Sequence, residues 1–172
     1  FLDDADMALA GHNVPEAAAA LRRGLEGFFQ FAADGLRAKV QFSLAGQYDM
    51  GQVSSACFGR LKDLTKKART TARLWHRTEQ ERALLDLEAA QAAAFAAINA
   101  EQWAINVNVH FNQWVNMSEP EFRPVLDGFK GVCELFRCSR CKGLLDVISD
   151  GPTEAAVKCP CGEVNWNLVS PQ

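Results

Sequence analysis

Cys138-Ser139-Arg140-Cys141 and, after seventeen intervening residues, Cys159-Pro160-Cys161-Gly162 decide the reading of the C-terminal part of this chain. The first is a C-x2-C knuckle and the second a tighter C-x-C knuckle. Four thiolates from two such knuckles close a tetrahedron around Zn²⁺, with Zn–S distances of about 2.3 Å. The intervening residues have hairpin character: Leu144 to Ile148 reads as a strand and Asp150-Gly151-Pro152 as a turn. After the second knuckle, Val164, Trp166 and Leu168 alternate with Asn165 and Asn167, as on a half-buried strand. The pattern is that of a zinc ribbon over 137–172. Two disulfides are the alternative, but a C-x-C disulfide is strained and nothing in the composition points to an oxidising compartment. A closed four-sulfur site leaves no coordination position for water, so the expected single Zn²⁺ is structural. It stands in for a core that so short a segment cannot build alone.

Upstream, residues 1–136 read as a helical bundle, making the fold class mainly α with a small four-cysteine ribbon. Residues 2–10 form a short helix ending at Gly11. Asn13-Val14-Pro15-Glu16 opens a second, with Asn13 as cap, running to about Ala33 and ended by Asp34-Gly35. Lys39 to Leu44 suits a short strand or a helical turn equally. Helix resumes near Ser54 or Ser55 and continues toward Ala68. An alanine-rich helix spans Thr78 to Ala100, its small side chains suggesting a packing face. Trp103 to Trp114 reads as a further short helix or turn. Ser118-Glu119-Pro120-Glu121 is a capping-box pattern for a last helix, whose apolar positions Phe122, Val125, Leu126, Phe129, Val132 and Phe136 lie on one face. Pro124 belongs in or near its first turn. No Gly or Pro linker separates this helix from Cys138, so the ribbon is expected to sit fixed on the bundle.

The chain has 172 residues with 18 Lys and Arg, 21 Asp and Glu and a net charge of −3, so no global attraction to nucleic acid follows. No apolar run is long enough to span a bilayer, and Phe1-Leu2-Asp3-Asp4 lacks the basic start of a signal peptide. Six cysteines, four of them in metal spacing, suit a reducing cytoplasm. Cys57 and Cys133 read as buried thiols. The opening residues resemble a cut point in a longer protein.

Two further groups carry potential chemistry. Residues 60–82 are basic, and Lys66, Lys67, Arg69, Arg73 and Arg77 are candidate nucleic-acid contacts; a solvated face or a dock for an acidic partner is the alternative. Asn106 and His110 lie four apart and share a helix face, where they serve either as a phosphate-binding pair with a proton shuttle or as a hydrogen-bonded interior pair.

The segment Ala5 to Ala18, A-x2-A-L-A-G-x4-E-A-A, and Leu21 to Glu26, L-R-R-G-L-E, resemble the first two helices of HEPN-like domains. Asn106 to His110 is similar to that superfamily's R-N-x3-H element. The resemblance covers roughly residues 2–136. It implies an up-down bundle of four or five helices that commonly pairs, and an RNA-cleaving site using His110 and Asn106. The family's Arg position holds Ile105, so the resemblance implies a polar remnant instead of an active nuclease. With a C-terminal ribbon, the architecture looks like tail regions of bacterial ATPases or antiviral defence proteins. The expectation from these readings is a non-catalytic module for protein–protein or self-association, including a dimer. The alternatives are a HEPN-type RNA-cleaving nuclease and a nucleic-acid-binding module acting through 60–82.

Overall fold

The computed structural model describes residues 1–41, 49–105 and 117–171, with side chains for 1–41, 49–97 and 117–171. Among these, the chain forms α1 (Leu2–Ala10), α2 (Val14–Leu36), α3 (Met50–Leu74), α4 (Thr78–Ile105), α5 (Glu119–Leu135), β1 (Asp146–Asp150), β2 (Thr153–Lys158) and β3 (Asn165–Asn167). Each helix packs on the next in sequence, and α5 returns to close the bundle against α1 and α2. No helix among the described residues is long and apolar enough to cross a membrane. Asn106 and His110, and most of the Trp103–Trp114 stretch, lie outside the described residues, as does the second half of Lys39–Leu44.

The caps follow the sequence. Asn13 accepts a hydrogen bond from the Glu16 N–H at 3.2 Å and donates through Nδ2 to the Glu16 carboxylate at 2.7 Å. At α5 the Glu121 carboxylate reaches back to the Ser118 N–H at 2.8 Å and to its hydroxyl at 2.7 Å. These bonds hold the Glu121 carboxyl below the usual range, the Ser118 side chain being the larger cause. Pro124 falls in the second turn of α5, one turn inside the helix, where it removes the N–H that would reach the Pro120 carbonyl.

Four departures follow, two from tertiary contacts and two from local geometry. Gly35 does not end α2; the helix continues to Leu36 and stops at Arg37, in the left-handed region at φ 55°. The glycine serves close approach instead: a Cβ there would lie 2.5 Å from Asp146 Oδ1 and 3.0 Å from the Leu145 carbonyl oxygen. The third helix starts at Met50, not Ser54, because the Asp49 carboxylate accepts the Gly51 N–H at 2.8 Å. It runs on past Ala68 to Leu74 because Thr71 and Ala72 are still buried. The alanine run of α4 is mostly on its outer side: Leu84 and Gln91 are buried and Phe95 packs against the core, whereas Ala89, Ala92, Ala93 and Ala96 are exposed. The helical repeat of 3.6 residues forces that division.

The core is a cage of aromatic rings. Phe136 sits 6.0 Å from Phe28, 5.9 Å from Phe29 and 5.9 Å from Phe58, measured between centroids, and Phe58 stacks on Phe95 at 4.3 Å. Cys57 and Cys133 are buried within the body, and burial pushes both thiols up to about 12, so they stay protonated. Leu145, Val147, Val157 and Leu168 of the C-terminal part belong to the same continuous core. Polar ties reinforce the union. Arg60 donates to the Leu36 carbonyl at 2.9 Å and pairs with Glu154 of β2, and Trp75 Nε1 donates to the Val169 carbonyl at 2.9 Å.

Gly35→Val is expected to lower stability by roughly 1–3 kcal/mol, since the added methyls must displace backbone. Gly59→Ala, where a Cβ would meet nothing within 4 Å, should raise it by about 0.5–1 kcal/mol. Urea denaturation followed by circular dichroism checks both signs.

Candidate metal centre

Two turns bring the four sulfurs together. In the first knuckle the Cys138 N–H donates to the Gly143 carbonyl at 2.9 Å, and the Lys142 N–H to the Cys138 carbonyl at 2.9 Å. Lys142 takes a φ of 57° to make that turn. In the second, the Cys159 N–H bonds the Val164 carbonyl at 3.2 Å and Gly162, at φ 78°, donates to the Cys159 carbonyl at 3.1 Å. The sheet sets the knuckles face to face: β1, β2 and β3 are antiparallel in that order, with Val147 opposite Val157 and Val157 opposite Trp166. The first strand begins two residues later than expected, at Asp146. Leu144 is instead bridged to Arg137, which joins the first knuckle to the end of α5.

The sulfurs of Cys138, Cys141, Cys159 and Cys161 all lie within 4.8 Å of one another. Cys159 and Cys161 are 3.5 Å apart, and Cys138 and Cys161 3.7 Å. A tetrahedron with 2.3 Å metal–sulfur bonds has edges of about 3.8 Å, whereas a disulfide needs about 2.05 Å. The separations therefore match ligands of one ion, and all four cysteines are free. Glycine is required at 143: a Cβ there would stand 2.8 Å from Cδ and Cγ of Pro160 and 3.4 Å from Cys141 Sγ. This contact between knuckles was not visible in the sequence, because Gly143 and Pro160 are distant in the chain.

The electrostatics are those of a crowded thiol site. The Gly143 N–H lowers Cys141. At Cys159, desolvation opposes ionisation, but the Val164 N–H, 3.2 Å from the sulfur, and the thiols of Cys161 and Cys138 outweigh it and bring it down to about 6. At Cys161 the Glu163 N–H favours the thiolate, yet desolvation and the three neighbouring sulfurs push it up to about 12. Four negative sulfurs cannot share this volume without a cation.

The chain matches no protein-family model, no curated protein and no solved structure.

Of the basic candidates, the structure engages two within the protein. Arg69 pairs with Glu88 of α4 at 2.7 Å, and Lys67 approaches Glu154 of β2 at 3.7 Å. Lys66, Arg73 and Arg77 are exposed.

Gly143→Ala should weaken metal affinity by about 10–100-fold, the usual cost of disturbing the groups that orient ligands. Glu163→Gln, which removes only the exposed partner of Arg140, should leave it within twofold. Competition with a chelator of known affinity measures both. Because at least Cys161 must lose a proton to bind, affinity should fall as pH is lowered and binding should release protons into a weak buffer.

Proposed function

We propose that this chain is a non-catalytic interaction module whose C-terminal ribbon is held by one structural Zn²⁺ on Cys138, Cys141, Cys159 and Cys161. The observation that carries the reading is four free thiols gathered within 4.8 Å of one another, two of the separations, 3.5 and 3.7 Å, being close to a tetrahedral edge. An all-thiolate tetrahedron suits zinc or iron. The tight C-x-C pair favours zinc, which has no d-electron preference for geometry and accepts an uneven set of sulfur separations. A site closed by four protein ligands holds its ion as scaffold. The work of the module then lies on its surfaces, through a protein partner or a second copy of the chain.

Elemental analysis of the purified chain should give one zinc per molecule and no iron. Cys138→Ser should abolish stoichiometric binding. It should also destabilise the helical body, because the ribbon supplies Leu145, Val147, Val157 and Leu168 to the shared core. At about 2–4 °C per kcal/mol for a chain of this size, a drop in Tm greater than about 10 °C is expected. Full zinc content in the variant, or iron in the wild type, would overturn the assignment.

A further inference from the structure

The six cysteines fall into three environments. Cys57 and Cys133 are sealed inside the helical body. Cys138 and Cys159 are buried and held in place. Cys138 stands two residues beyond the packed Phe136, with its N–H bonded to the Gly143 carbonyl, and the Cys159 sulfur accepts the Val164 N–H at 3.2 Å. Cys141 and Cys161 are exposed, come from opposite knuckles, and have sulfurs within 4.8 Å of each other. Oxidation of a thiolate follows its exposure, so an oxidant arriving from solvent meets these two sulfurs first. A disulfide needs about 2.05 Å, so any pair that closes must move. The nearest pair, Cys159 and Cys161 at 3.5 Å, is the C-x-C pair, whose disulfide is strained. Cys138 and Cys161, at 3.7 Å, would draw on a sulfur fixed in the core. Only Cys141 and Cys161 can both shift without leaving it.

We propose that Cys141 and Cys161 form a reversible disulfide on reaction with a hydroperoxide, which frees the bound ion and makes the ribbon an oxidant-sensitive switch. The inference deepens the zinc reading above and rests on it. One exposed thiolate attacks a peroxide oxygen; the O–O bond breaks, and hydroxide leaves to be protonated to water. The other thiolate attacks the resulting sulfenic sulfur; the S–S bond forms, the S–O bond breaks, and a second hydroxide is protonated. The two sulfurs together lose two electrons, the peroxide gains them, and two protons come from solvent. The charge of the ion does not change. Cys138 and Cys159 are then its remaining ligands, too few for a closed site, and they take up protons as it leaves. A thiol reductant reverses the step by exchange. The disulfide keeps the knuckles cross-linked while Leu145, Val147, Val157 and Leu168 stay in the shared core, so the change is confined to the outer side of the ribbon.

The test exposes the whole zinc-loaded chain to excess hydrogen peroxide and follows zinc release with a chromogenic chelator. Remaining thiols are then alkylated in denaturant and the chain is digested with trypsin without reduction. Cleavage after Arg137, Arg140, Lys142 and Lys158 puts Cys138, Cys141 and the Cys159–Cys161 pair on separate peptides. One zinc should be released per chain, with a cross-linked peptide joining Cys141 to Cys161, and fragmentation separates Cys161 from Cys159. Cys57 and Cys133 should still be alkylated. Dithiothreitol with added zinc should restore the metal content. Cys141→His keeps a ligand for zinc but removes one sulfur of the pair, and should release zinc at least about tenfold more slowly. The proposal fails if zinc stays bound, if the disulfide uses Cys138 or Cys159, or if the product is a sulfinic acid that dithiothreitol does not reverse. Should Cys141→His hold no zinc, the wild-type peptide map decides alone. A purified chain without zinc would end the metal reading instead, and the same map on the metal-free chain would then show whether this pair is the reactive one.

Discussion

A single residue, Arg137, separates the centre of the helical core from the first sulfur of the four-cysteine cluster. Phe136 is wedged among Phe28, Phe29 and Phe58, and its carbonyl accepts the Leu145 N–H at 3.0 Å. Cys138 follows, fully buried. The Arg137 guanidinium lies 5.1 Å from the Phe28 ring centroid, a cation–π contact that covers the step between them. The position of Cys138 is thus set by the packing of α5, and the first knuckle has no freedom to tilt relative to the bundle. The ribbon behaves as an outgrowth of the core, with Leu145, Val147, Val157 and Leu168 continuing it into the sheet.

Features governed by local chemistry were legible in the residues. The short first helix, the Asn13 cap, the Ser118–Glu121 box, the apolar face of α5 and the four cysteines all depend on neighbours within a few positions. Features governed by distant contacts were not, and two local ones, the Asp49 cap that starts α3 and the outward turn of the α4 alanines, were also missed. Gly35 looked like a stop because glycine usually ends helices, but here it makes room for Leu145 and Asp146, more than a hundred residues away. The alanines of α4 looked like a seam because they are small, and the helical repeat turned most of them outward. The HEPN-like reading of Asn106 and His110 falls outside the described residues.

The basic stretch shows how the same composition divides once a helix gives it direction. Read linearly, Lys66, Lys67, Arg69, Arg73 and Arg77 form one block. Folded, Arg69 and Lys67 become struts between layers, while Lys62 joins the outward set. Glu154 is central to this division, because it draws Arg60 and Lys67 together onto the sheet. Exposed ion pairs contribute little to stability, typically about 0–1 kcal/mol. Arg60 differs in being well covered and in also bonding the Leu36 carbonyl, so it ties α2, α3 and β2 at one point.

The four sulfurs are not equivalent toward solvent: Cys138 and Cys159 are buried, Cys141 and Cys161 exposed, one of each kind in either knuckle. An ion held among them would meet solvent through the exposed pair, Cys141 and Cys161. A competing thiolate arriving there would displace Cys141 or Cys161 first, while the inner pair keeps hold. Exchange with a donor or scavenger would then proceed as a relay of single-ligand swaps, without the ribbon having to come apart.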